Sequence, residues 1–263
     1  PGFARIFEAM GGMTFITGEP DREPMHVGYP IGDSIGGLFG GLALMSALWK
    51  LARDPEARGE EIDLSMTEAV TKLIDFNTLK FELLGESHQR SGNVSQYAAP
   101  TGVYLTRDGH WVSLSGSTNS LYAANCHSIG RPNLIEEPRY RSNQDRCRHA
   151  HELNAIFQQW FAENSLAHIL ERFEACGGTV APVYSAQQIV EDPHVQARGF
   201  LQTVRDEDFG EVRVPGVVPR FGNHTCTIRR TGSDIGADNE EVFRGRLGLT
   251  QEEFDRLREQ KII

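Results

Sequence analysis

One carboxylate stands alone in a long uncharged stretch. Asp33 is the only Asp, Glu, Lys or Arg between Glu23 and Lys50. It sits in Gly28-Tyr29-Pro30-Ile31-Gly32-Asp33-Ser34-Ile35-Gly36-Gly37, at the mouth of an apolar, glycine-studded segment. An Asp in that place is either a helix cap, the commoner role, or a reactive group. Ser34 follows at once and can cap by itself. The glycines let a ligand come close. The free N–H groups of a first helical turn can hold an oxyanion beside the carboxylate. The chemistry this suits is covalent: a carboxylate attacks a thioester to give a mixed anhydride. A helix N-terminus favours the anion, which helps it leave again. The same stabilisation suits a general base less well.

The rival groups have plainer readings. Asp63 alternates with Ile62 and Leu64 and faces solvent or a strand neighbour. Glu68 falls in a first helical turn, an ordinary dipole partner. Arg90 with Asn93 forms an anion-binding candidate in a loop, although charged loop residues usually only solvate. His149 and His151 are two apart, which on a helix points them to different faces, and no metal site is expected. Gly36, Gly37, Gly40 and Gly41 do not spell a dinucleotide fingerprint and lie inside a helix rather than a strand-to-helix turn.

The elements that position these residues follow from periodicity and punctuation. Residues 4–12 predict a short helix with a glycine stop. Residues 18–32, with three prolines and three glycines, predict a long loop. Ser34 to about Leu51 predicts a helix buried nearly all round. Its uncharged run, Ser34 to Trp49, is 16 residues, short of the roughly 20 that span a bilayer. After a charged turn over 52–60, Glu61–Ser65 alternates like a strand, and Met66 to about Leu84 predicts a second helix. Beyond residue 90, a hairpin is expected around Asp108-Gly109. Helices are expected near 119–129, 151–162 and 165–176, a strand over Thr179–Tyr184, and a helix from Ser185 to about Glu191. Val212–Pro215 reads as a strand, and Glu240–Leu247 and Thr250–Gln260 as helices, the last with a Thr250/Glu253 capping box. This divides the chain into residues 1–89, a smaller α+β domain over 90–193, and a return over 194–263.

Composition sets the outer limits. With 39% hydrophobic and 24% charged residues the chain is globular. A net charge of −10 argues against nucleic acid as the main partner. Cys126, Cys147, Cys176 and Cys226 are widely spaced, without a CxxC pair, and read as reduced thiols of a cytoplasmic protein. The chain opens on Pro1 with a helical or loop segment at once, which points to part of a longer polypeptide or a processed product.

Several stretches, in order, resemble the class III CoA-transferases, a family that also holds acyl-CoA racemases. They are Phe3–Gly18, Val27–Gly37, Glu61–Ala69, Arg90–Asn93 with Ala99-Pro100, Gly130–Pro132, Pro138–Tyr140, Ala181–Val183, Asp192–Gly199 and the tail Glu241–Ile263. The resemblance covers nearly all of the chain. It implies an α/β fold: a Rossmann-like large domain, here lacking its N-terminal side, plus a small α+β domain, in an interlocked dimer. It implies that Asp33 is the nucleophile, forming first an aspartyl anhydride and then an aspartyl-CoA thioester. Phe3 and Met66 fall where the family lines its CoA pocket, and Gly36, Gly37, Arg90 and Asn93 are carried as further binding candidates. Coenzyme A enters as the thioester substrate, with no permanently bound cofactor. The partners implied are an acyl-CoA, a carboxylic acid, and a second copy or another chain that supplies the absent segment, with no membrane. The family's racemases carry a His near the position of Phe3, which favours a transferase. A racemase and a partial subunit that needs a partner chain are the alternatives.

Overall fold

The computed structural model describes residues 2–263. The chain divides into two compact units, residues 1–183 and 184–263.

The first unit opens with α1 (Ala4–Met10), ended by Gly11 as expected, and α2 (Met13–Ile16). The Pro/Gly-rich loop then leads into α3 (Ile31–Arg53). Two expectations about α3 need correction. It starts three residues earlier, with Pro30 as N-cap, so Asp33 lies inside the first turn and neither Asp33 nor Ser34 is the cap. Proline's fixed φ suits a helix start. The helix is also not buried all round: only Gly32, Ile35 and Gly36 are buried, while Leu38 is 76% and Trp49 64% exposed. The stripe of α3 that holds these buried residues packs on α1 and on α4 (Met66–Leu73). At 23 residues, α3 is long and apolar enough to cross a membrane by length and composition, where the uncharged run alone is too short.

Glu61–Ser65 is extended but pairs with no strand among the described residues, so the expected strand does not form. An isolated alternating segment has no ladder to join, and Ser65 instead caps the helix that follows. The single helix expected over Met66 to about Leu84 is broken into α4 and α5 (Phe76–Leu84) at Ile74-Asp75. Asp is poor inside a helix and good at its start. The break turns Phe76 edge-on to His88 and Tyr97, with centroids 5.5 and 5.8 Å away.

The rest of the first unit is a small sheet covered by helices. β1 (Thr101–Leu105) and β2 (Trp111–Ser115) form the expected hairpin, with Val103 opposite Ser113. Gly109, at φ +80°, makes its turn. β3 (Val180–Pro182) adds antiparallel to β2. α6 (Asn119–Ser128), α7 (Asn143–Arg148), α8 (Ala150–Glu163) and α9 (Leu166–Cys176) complete it. Alternate strand residues Tyr104, Val112 and Leu114 meet Tyr122, Leu153, Phe157, Phe161 and Phe173 in one core. Burying each of the larger side chains stabilises by about 1.5–3 kcal/mol. Arg146 is fully buried there. It donates to the carbonyls of Ala99 (2.7 Å) and Tyr140 (3.2 Å) and to Asn119 (3.0 Å), and lies over the Tyr122 ring.

The second unit holds α10 (Ala186–Glu191), with a Ser185/Gln188 capping box, and α11 (Pro193–Ala197), capped by Asp192. β4 (Leu201–Asp206) pairs antiparallel with β5 (Gly210–Pro215). Only β5 is legible in the sequence, because its apolar Val212 and Val214 alternate while Leu201 and Val204 of β4 stand three apart. Glu240–Arg246 is a π-helical segment rather than the expected α-helix. α12 (Gln251–Glu259) carries the expected Thr250/Glu253 box. Helices and strands are mixed as expected, and both sheets are antiparallel among the described residues.

Candidate functional site

Three helices meet around the start of α3. Gly32, Gly36 and Gly40 recur at four-residue spacing, so they share a face. A Cβ at Gly32 would lie 3.2 Å from the Ala4 carbonyl oxygen, at Gly36 3.2 Å from Met66 Cγ, and at Gly40 3.4 Å from Leu64 Cδ2. That stripe exists for close packing on α1, on α4 and on Leu64. Asp33, Gly37 and Gly41 form a neighbouring stripe by the same spacing. A Cβ at Gly37 or Gly41 would meet nothing within 4 Å. The four glycines beyond Asp33 therefore do two jobs, and only Gly37 and Gly41 border open space beside it.

Asp33 is exposed and its carboxylate has no hydrogen bond or ion pair among the described residues. It sits in the first turn of α3, where the N-terminal N–H groups and the helix dipole favour negative charge. A carboxylate held there without a partner is available to react.

The turn itself is held from below by a group that sequence reading missed. Glu8 of α1 is 0% exposed. Its Oε1 accepts from the Gly32 N–H at 3.3 Å. Its Oε2 lies 3.4 Å from His26 Nδ1 and 3.6 Å from Arg5 Nη1, ion-pair distances without the geometry of a hydrogen bond. Arg5 also donates to the Val27 carbonyl, and His26 Nδ1 faces Thr14 Oγ1 at 3.3 Å. Isolated buried charge is costly and persists where it is paired. The available signal was a Glu four residues after Ala4, on the buried face of α1.

The other expected residues are placed as follows. Phe3 is the N-cap of α1 and 83% exposed, next to Ala4, which touches Gly32. Met66 opens α4 and packs on Gly36, and Gly36 is buried. The α1–α3–α4 packing thus sets Ala4, the neighbour of Phe3, against Gly32 and sets Met66 against Gly36, on the stripe next to Asp33. Arg90 is engaged elsewhere: it donates to the carbonyls of Phe15 (3.0 Å) and Glu19 (3.3 Å) and stacks over the Phe15 ring. Asn93 lines a shallow hollow with Val94, Tyr104, His151 and Asn154. A separate cleft of about 350 Å3, lined by Met10, Phe15, Ile74, Asn77, Phe81 and His88 among others, does not include Asp33. Burial and the nearby Lys80 charge push the His88 pKa down.

The sequence pattern of CoA-transferase family III matches residues 1–239. The chain belongs to that family. It is 31% identical, over all of its length, to a succinyl-CoA–D-citramalate CoA-transferase of Chloroflexus aurantiacus, and covers 65% of that protein. It is 32% identical to the beta subunit of a succinyl-CoA–L-malate CoA-transferase from the same organism, again over the whole chain and 65% of the relative. An acetyl-CoA:oxalate CoA-transferase of Acetobacter aceti is 30% identical over 89% of this chain and 58% of its own. The chain therefore spans less than two thirds of the length of these relatives. Among solved structures, a CaiB/BaiF family protein from Brucella suis superposes with a TM-score of 0.73 at 22% identity, over 93% of this chain and 62% of its own. A mutant Mycobacterium tuberculosis protein gives 0.75 at 21%, over 94% of this chain and 63% of its own. These likenesses establish the fold. The family match runs through α3, so its apolar length is that of a helix within the family fold.

Proposed function

We propose that this protein moves coenzyme A from an acyl-CoA to a free carboxylic acid, with Asp33 as the covalent nucleophile. The observation that carries this reading is the exposed, unpartnered Asp33 carboxylate in the first turn of α3, beside a stripe of glycines that open onto free space. An Asp33 oxygen attacks the thioester carbonyl carbon. The C–S bond breaks, coenzyme A leaves as thiolate, and a mixed anhydride remains. The thiolate attacks the aspartyl carbonyl, expels the donor acid and leaves an aspartyl-CoA thioester. The acceptor carboxylate then attacks that thioester and releases the thiolate. Thiolate attack on the acceptor side of the new anhydride frees the product thioester and regenerates Asp33. The α3 N-terminus stabilises each returning carboxylate.

The relatives named above support succinyl-CoA as donor and a small hydroxylated dicarboxylic acid such as malate or citramalate as acceptor. Phe3, next to the Ala4 that packs on Gly32, and Met66, which packs on Gly36, are the candidate walls for the thioester end. Phe3 has no ionisable group, which speaks against a racemase. The exposed apolar residues of α3, Leu38, Leu42, Met45 and Trp49, support a larger assembly. In this reading residues 1–89 and 194–263 belong to a Rossmann-like large domain, 90–193 to the small domain, and a second interlocked copy or a partner chain covers the open face. The working compartment is the cytoplasm.

The test is chemical. The complete enzyme is incubated with succinyl-CoA, quenched with hydroxylamine, digested and mapped by mass. The expected adduct is a hydroxamate on the peptide that carries Asp33, absent from Asp33→Ala, which retains its fold and loses exchange. Wild-type turnover by Asp33→Ala overturns the proposal.

A further inference from the structure

Glu8 is the one buried carboxylate in the α1–α3–α4 group, and the transfer chemistry above makes no use of it. Its position is specific. It reaches from the middle of α1 to the backbone N–H of Gly32, the residue immediately before Asp33. The contact joins segments 24 residues apart in sequence. Two further links run alongside it: Arg5 to the Val27 carbonyl, and His26 to Glu8 Oε2. Residues 5, 8, 26, 27 and 32 thus tie α1 to the last part of the loop and to the first turn of α3 that carries Asp33. Gly32 also packs directly on the α1 backbone, since a Cβ there would press on the Ala4 carbonyl. No side chain caps α3 at Pro30. Glu8 therefore supplies from α1 the acceptor that a local cap supplies in other helices.

We propose that Glu8 is a positioning residue for Asp33: its hydrogen bond to Gly32 fixes the first turn of α3 in the orientation from which the carboxylate attacks. This rests on Asp33 being the nucleophile. A misplacement of about 1 Å at a reacting group costs on the order of a hundredfold in rate, and Glu8 acts at a distance of one residue from that group. The role concerns orientation, so it falls on kcat. Thioester binding rests on other side chains.

Two substitutions in the complete enzyme separate this from general stability. Glu8→Gln keeps an acceptor of the same length for Gly32 and gives up the charge that faces His26 and Arg5. Glu8→Asp keeps the charge and draws the acceptor back by one methylene. Glu8→Gln is expected to retain kcat within about threefold, and Glu8→Asp to lose about 10- to 100-fold in kcat with KM for the thioester changed less than about threefold. Amide exchange followed by mass spectrometry on the peptide that spans residues 27–38 should match wild type in Glu8→Gln and speed up in Glu8→Asp. That readout stands even where activity is too low to measure. Wild-type kcat in Glu8→Asp, unchanged exchange in it, or a folded Glu8→Gln as impaired as Glu8→Asp overturns the proposal. Asp33→Ala assayed alongside keeps the two ideas apart. Full turnover there removes the nucleophile whatever position 8 does. An inactive Asp33→Ala with a fully active Glu8→Asp removes only the role of Glu8.

Discussion

Alanine should stabilise the protein at one kind of glycine in α3 and not at the other. Gly37 is mid-helix, and a methyl group added there would have nothing within 4 Å. Replacing a helix-interior glycine by alanine at such a place gains about 1 kcal/mol from propensity, because the unfolded chain loses freedom and no contact is disturbed. For a chain of this size that is a rise in melting temperature of about 2–4 °C. At Gly32 the same methyl meets the Ala4 carbonyl oxygen at 3.2 Å and its Cα at 3.5 Å. Both atoms are backbone, so α1 must move by a few tenths of an ångström, and the Glu8–Gly32 hydrogen bond moves with it. Overpacking of this kind costs about 1–3 kcal/mol, enough to cancel the propensity gain and leave Gly32→Ala neutral or destabilised. Thermal melts followed by circular dichroism read both. Gly37→Ala should in addition lower kcat/KM for the thioester about tenfold, because its methyl stands one turn from Asp33 on the open stripe. A Gly37→Ala enzyme that melts lower than wild type, or a Gly32→Ala enzyme that melts higher, refutes the division of the glycines into packing and approach stripes.

The small sheet unit yields two further expectations. Tyr104 donates its buried hydroxyl to Asn154 Oδ1 at 2.8 Å, so Tyr104→Phe should cost about 1–3 kcal/mol in chemical denaturation by stranding that acceptor; no loss would mean that Asn154 finds another donor. Burial pushes the Cys126 thiol from 9.0 up to about 11, so in the native protein it should resist thiol reagents at neutral pH while remaining reactive on unfolding. Between those two values the folded state holds the proton that the unfolded state has lost, so Cys126 makes stability fall as pH rises through 9 to 11. Cys126→Ala should flatten that part of the pH–stability curve, and an unchanged slope would exclude the thiol as its source.

Much of this protein was legible one segment at a time. The Asp108-Gly109 hairpin, the helices over 119–129, 151–162 and 165–176, and the Thr250/Glu253 box depend on turn residues, periodicity and caps, which act within a few residues of chain. The isolation of Asp33 among uncharged residues, and the ordered family motifs around it, were equally local. The sequence by itself therefore determined which residue is the chemical candidate and which family the chain resembles. Tertiary structure decided the rest. It made Pro30 the cap and put Asp33 inside the helix. It split the glycines into a packed stripe and an open one, a distinction invisible in residue type because every member is a glycine. It left Leu38 and Trp49 exposed where an apolar run implied burial, because burial depends on which neighbours are present. It withheld a strand from Glu61–Ser65 for want of a partner. Above all, it brought Glu8 to the backbone of Gly32. A contact across 24 residues leaves no local trace in sequence, since the pairing is set by how α1 packs on α3 and by the need to satisfy a carboxylate once it is buried there.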